Sequence, residues 1–144
     1  MLEESKTVLN SIENIIHEKT QVHKQRIDLT INKVYALKNR GSLDFGGSEF
    51  KKSELKEINS EKKDEDEKYG WWNLSQGSYI VQFNETLIKN YGIVQSLPRL
   101  LKTGCFIPMQ IIEENDKIQS VLIVGPEGVN IKENARIAGL YQLT

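Results

Sequence analysis

Apolar residues fall at Val8, Leu9, Ile12, Ile15 and Ile16, while Glu3, Glu4, Lys6, Glu13 and Glu18 lie mostly on the other side of a helical projection. This spacing predicts an amphipathic helix of about four turns over residues 2–19. Its polar side is not dominated by Lys and Arg, so it is expected to pack on the rest of the chain or on a neighbouring subunit rather than lie on a membrane. After residue 25 the period changes to two. Ile27, Leu29 and Ile31 alternate with Asp28 and Thr30, and residues 34–37 continue with β-branched and aromatic side chains. Strands are therefore expected to replace helix.

Further strands are expected over residues 42–45, 50–58, 78–84, 92–97, 105–112, 118–124, 129–131 and 136–143. About eight or nine short strands with turn signals between them predict an all-β barrel or jelly-roll, in which closure removes exposed edges. Gly125-Pro126-Glu127-Gly128 reads as a tight hairpin turn rather than a phosphate loop, because no Lys-Ser/Thr follows it and no helix begins there. Residues 61–68 contain no apolar side chain and read as a mobile, solvated loop. They lack the spaced oxygen ligands and central glycine of a calcium loop. Trp71 and Trp72 are adjacent, so on a regular strand they face opposite sides. One is expected in the core and the other against a subunit or a ligand.

The whole chain then narrows the classes. Its 144 residues are about the size of one domain. The net charge is −1, which exerts no bulk pull toward nucleic acid or an anionic membrane. Neither partner is expected. Cys105 is the single cysteine, which excludes an intrachain disulfide, and with only His17 and His23 beside it no zinc-type ligand cluster can assemble. A reducing cytoplasm fits, and neither a secretory leader nor a bilayer-spanning run is recognisable.

Several segments in order now matter more than composition. Ile27-Asp28-Leu29 runs into Lys33-Val34-Tyr35-Ala36-Leu37; Gly70-Trp71-Trp72-Asn73-Leu74 precedes Gly77-Ser78-Tyr79-Ile80-Val81 and Phe83-Asn84-Glu85; then come Pro98-Arg99-Leu100-Leu101-Lys102-Thr103-Gly104 and Asn134-Ala135-Arg136-Ile137-Ala138-Gly139-Leu140. From about residue 25 to 143 this order resembles the trimeric dUTPase and dCTP deaminase superfamily, in its archaeal-type branch. The resemblance implies a dUTPase-like β-barrel domain over residues 21–144 behind an N-terminal helix over 1–20, assembled as a homotrimer with sites at the subunit interfaces. In that family a carboxylate-activated water attacks dUTP while Mg²⁺ holds the triphosphate.

Carried over residue by residue, the resemblance implies that Asp28 holds the metal and orients phosphate. By its place in an alternating strand, Asp28 also reads as an ordinary solvent-facing Asp. Arg99 and Lys102 stand where phosphate is gripped, and Arg136 stands in the fourth motif. The second motif of active relatives reads Pro-Arg-Ser-Ser-Leu, so the serine pair is missing here. Counting on from Gly104, the general-base Asp falls on Glu113, whose longer arm displaces a water that must sit within hydrogen-bond reach. The following aromatic turn falls on Asn115 to Ile118 and has lost its aromatic. Gly139 replaces a glutamine, and the sequence ends at Thr144 without the family's glycine-rich arm.

The expectation is a dUTPase-like protein of deoxyuridine nucleotide metabolism with hydrolysis weakened or lost, and with Mg²⁺ only where nucleotide is bound. Two alternatives stay open. One is an active Mg-dependent dUTP diphosphatase using Glu113 as base; the other is a non-catalytic structural or regulatory homotrimer. The deaminase branch needs a Glu after the third motif, which Ser120-Val121-Leu122-Ile123 does not offer, and a zinc deaminase is excluded by its ligands.

Overall fold

The computed structural model describes residues 3–4, 8–114 and 116–142. Among these, the strands are β1 (Ile12–Glu13), β2 (Ile27–Leu37), β3 (Leu55–Ile58), β4 (Trp71–Leu74), β5 (Gly77–Leu87), β6 (Gly92–Ser96), β7 (Gln110–Ile112), β8 (Asp116–Val124), β9 (Val129–Lys132) and β10 (Arg136–Tyr141). Two single-turn helices, α1 (Glu18–Gln21) and α2 (Pro98–Leu101), and a 3-10 turn over Leu9–Ser11 complete the described elements. The all-β expectation holds. No described helix is long and apolar enough to cross a membrane.

The long β2 organises the molecule. Its first residues, Ile27 to Thr30, pair with β10, which continues to β6 and β7, whereas Ile31 to Leu37 pair with β5 and β3. A register shift between Ile31 and Lys33 marks the change. β2 thus belongs to two curled halves of one sheet, and β5 carries β8 and β1 on its other pairings. Between the halves lies a core that includes Val8, Ile12, Ile27, Leu29, Ile31, Phe83, Leu122 and Leu140.

The period-two reading of β2 placed the apolar residues correctly, since Ile27, Leu29 and Ile31 are fully buried. The other face is not solvated: Asp28 and Thr30 are buried as well, covered by α1 and by residues of β5. The solvent-facing reading of Asp28 is therefore incorrect.

The continuous N-terminal helix does not form over the described residues. Leu9–Ser11 make a 3-10 turn, Ile12 and Glu13 extend to pair with Leu87 and Thr86, and Asn14 turns the chain with φ of 69°. Strand pairing at the edge of β5 wins over helical propensity, while Val8 and Ile12 still reach the core. Residues 2 and 5–7 of that expectation lie outside the described residues.

Two other readings change. Gly125 to Gly128 form a tight turn, closed by Gly128 N–H donating to Gly125 O at 3.0 Å with Gly128 at φ 74°. It is no hairpin: β8 pairs with β5 and β9 with β4, so the turn carries the chain between sheets. The strands expected over 42–45 and 50–58 shrink to a Ser42–Lys51 bridge and β3, leaving Leu43, Phe45 and Phe50 exposed.

Candidate functional site

Asp28 lies opposite Gly139 where β2 meets β10. Only 1% of it is exposed, and its carboxylate has three partners: Arg26 Nε donates to Oδ1 at 2.8 Å, Arg136 Nη1 donates to Oδ2 at 3.0 Å, and His23 Nε2 lies 2.9 Å from Oδ2. Each partner arrives for a local reason. Arg26 precedes Asp28 by two residues, the spacing that shares a face of an extended chain. His23 is folded back by the Val22–Ile27 bridge, its N–H donating to Arg26 O at 2.8 Å. Arg136 opens β10 in register with Thr30.

A second carboxyl lies beneath. Glu85 is fully buried; its Oε1 accepts from Thr30 N–H at 2.8 Å, and its Oε2 accepts from Thr30 Oγ1 at 2.6 Å and Gln21 Nε2 at 2.9 Å. Burial pushes this carboxyl above its ordinary 4.5, outweighing the hydrogen bonds that pull it down. Gln21 Nε2 also donates to Asp28 O at 2.8 Å, while Gln21 Oε1 accepts from the N–H groups of Ile16 and His17. One glutamine therefore joins α1, β2 and Glu85.

Arg136 also borders a cleft of 430 Å³ formed by α2, β4, β9 and the start of β10. Arg99, Lys132 and Arg136 supply three cations to its lining, Trp71 supplies an indole, Leu100 and Ile137 supply apolar surface, and no lining residue is a carboxylate. Such a lining suits an anion attached to an apolar or aromatic body. Of the tryptophan pair, Trp72 is the core member, with its Nε1 donating to Ile58 O at 2.8 Å, and Trp71 lines the cleft with Lys63 Nζ 4.1 Å from its ring centroid.

The candidate residues are thus only partly gathered. Asp28, Arg136 and Arg99 surround one region, with Asp28 acting through Arg136. Lys102 caps the end of α2, exposed and outside the cleft lining. Glu113 stands apart from these residues within one chain. It follows Ile112, which pairs with Gly92 just past the Tyr141 end of β10, whereas Arg136 begins that strand. Five strand steps of ~3.4 Å put the two ends about 17 Å apart. Glu113 lines a different cleft, with Ile111, Ile112, Lys117, Ile118 and Gln119, so within one chain it is no base for the Asp28 region. A groove of 630 Å³ beside Tyr91, Ile93 and Ile111 contains none of the candidate residues.

Asp28 does not fit a divalent ion either. Both its oxygens accept from cationic or imidazole groups, almost no surface is left, and no group of three or more His, Cys, Asp or Glu gathers among the described residues. Sequence reasoning missed Arg26, His23, Gln21 and Glu85. Only Arg26 carried a signal, its two-residue spacing from Asp28.

No family model matches the chain. A probable deoxyuridine 5'-triphosphate nucleotidohydrolase of Methanosarcina mazei is 28% identical over 139 residues, covering 92% of this chain and 78% of the relative. The corresponding protein of Methanosarcina acetivorans is 27% identical with the same coverage. Among solved structures, the 2'-deoxycytidine 5'-triphosphate deaminase of Agrobacterium tumefaciens superposes with a TM-score of 0.64 at 13% identity. That match covers 97% of this chain, which spans 45% of the deaminase chain. The chain is thus similar along most of its length to proteins named as probable deoxyuridine 5'-triphosphate nucleotidohydrolases, and it shares its fold with a 2'-deoxycytidine 5'-triphosphate deaminase.

Proposed function

We propose that the chain binds a deoxyuridine nucleotide in the cleft between α2, β4, β9 and β10, and that its hydrolysis of the triphosphate is weakened or lost. The carrying observation is the separation of binding from base chemistry: Arg99, Lys132, Arg136 and Trp71 share one cleft, while Glu113 stands at the other end of β10. The relatives' names supply deoxyuridine as the nucleoside. Arg99 and Arg136 take phosphate oxygens by their planar forks, Lys132 adds a point charge, and the apolar strip beside Trp71 receives the uncharged part. A water held there has no carboxylate among the lining residues to deprotonate it.

A second reading is favoured by the exposed position of Glu113 on a surface turn. In a homotrimer, a neighbouring copy would bring its Glu113 to the cleft and restore an active dUTP diphosphatase. Calorimetric titration with a non-hydrolysable dUTP analogue tests the binding reading. Saturable binding that weakens at least about tenfold in Arg136→Ala supports it. No binding at millimolar ligand contradicts it and favours a structural homotrimer.

A further inference from the structure

Arg26 occupies one side of the Asp28 carboxylate, and Gly139 is what admits it. Asp28 and Gly139 are register partners across β2 and β10. The Arg26 stem passes over Gly139 so closely that a Cβ there would come within 2.8 Å of its Cδ and 2.9 Å of its Cγ. The guanidinium then meets Asp28 Oδ1, while Arg136 and His23 take Oδ2. With His23 left uncounted, two guanidinium charges face one carboxylate, so the cluster already carries a surplus of positive charge. A dication approaching it is repelled; a phosphate is attracted.

We propose that Arg26 is a built-in counterion standing in place of a divalent cation at Asp28, so that phosphate-bearing ligands bind the adjoining cleft without metal. The inference rests on the nucleotide reading for its ligand but not for its logic. A salt bridge that only stabilises the fold leaves the metal dependence of binding untouched, and this separates the two roles.

The test is calorimetric titration of inorganic tripolyphosphate and of a non-hydrolysable dUTP analogue, with Mg²⁺ and with EDTA, into the wild type and Arg26→Ala. Complexation of Mg²⁺ by the free ligand is common to both proteins, so the difference between them isolates Arg26. The wild type is expected to change affinity less than about threefold on chelation, and Arg26→Ala about tenfold or more. Wild-type binding that collapses on chelation, or an equal response in both proteins, overturns the proposal. Tripolyphosphate binding without analogue binding rejects the nucleotide reading while the Arg26 assignment stands, and binding of neither ligand overturns both. If Arg26→Ala fails to fold by circular dichroism, Arg26→Gln keeps the stem over Gly139 and removes the charge.

Discussion

Arg26 Cδ lies 2.8 Å from where a Cβ on Gly139 would be, so the two positions compete for one volume. Gly139→Ala should displace the Arg26 stem from Asp28 and destabilise the fold by about 1–3 kcal/mol, the usual range for overpacking. In an Arg26→Ala background the same substitution should cost at least about 0.5 kcal/mol less, because the obstacle is gone. Urea denaturation of the four proteins of this cycle measures the coupling.

Removing the Asp28 charge leaves its cations without their counter-charge and with one acceptor oxygen in place of two. Asp28→Asn is expected to destabilise by about 1–3 kcal/mol, less than the ~3–5 kcal/mol of a fully buried pair. The reduction follows from the 28% and 26% of side-chain surface that Arg26 and Arg136 keep in water. Glu113→Gln, at an exposed position, should stay within about 0.5 kcal/mol of wild type, and urea denaturation measures both variants.

Glu85 sets a pH dependence of opposite sign to that of a salt-bridged acid. Its carboxyl is raised in the folded chain by burial, so the native state holds a proton that the unfolded state has released. Its contribution is fully present below the unfolded value of 4.5 and is lost as pH rises through the higher folded value. Glu85→Gln cannot titrate. The stability difference between wild type and variant, measured by denaturation at several pH values, should shift against the wild type as pH rises above 4.5.

The cations of the cleft should separate by what else they hold. Arg99 is exposed and lines the cleft, so Arg99→Ala should lower affinity for the dUTP analogue about tenfold without lowering the melting temperature. Arg136→Ala should lower both, because its guanidinium also binds Asp28 and Thr20 O. Lys102→Ala should change neither. Quenching of Trp71 fluorescence provides the titration signal, since Trp72 is buried away from the cleft.

The sequence made the strands legible where one face of a strand meets the core, as in Ile27, Leu29 and Ile31. It was silent where the second face is covered too. Asp28 and Thr30 look solvent-facing from alternation alone, and their cover comes from Gln21 near in sequence and from Glu85, 55 residues beyond Thr30. The N-terminal segment shows the converse: Val8 and Ile12 have helical spacing and are buried, yet pairing with Leu87 fixes Ile12 as strand. Within the site, motif spacing marked Asp28, Arg99 and Arg136, which the fold gathers, and Glu113, which one chain holds at the other end of β10 because order along a chain does not encode which end of a strand a residue reaches. Gly139 was readable as a missing hydrogen-bonding group; that it makes room for Arg26 required the packing.

The central claim is that binding and hydrolysis have come apart in this chain, and pyrophosphate release from dUTP tests it most directly. Purified protein incubated with dUTP and Mg²⁺ is expected to bind the nucleotide and release little or no pyrophosphate above the protein-free control. Robust release that Glu113→Gln abolishes would contradict the account and establish Glu113 as a working base.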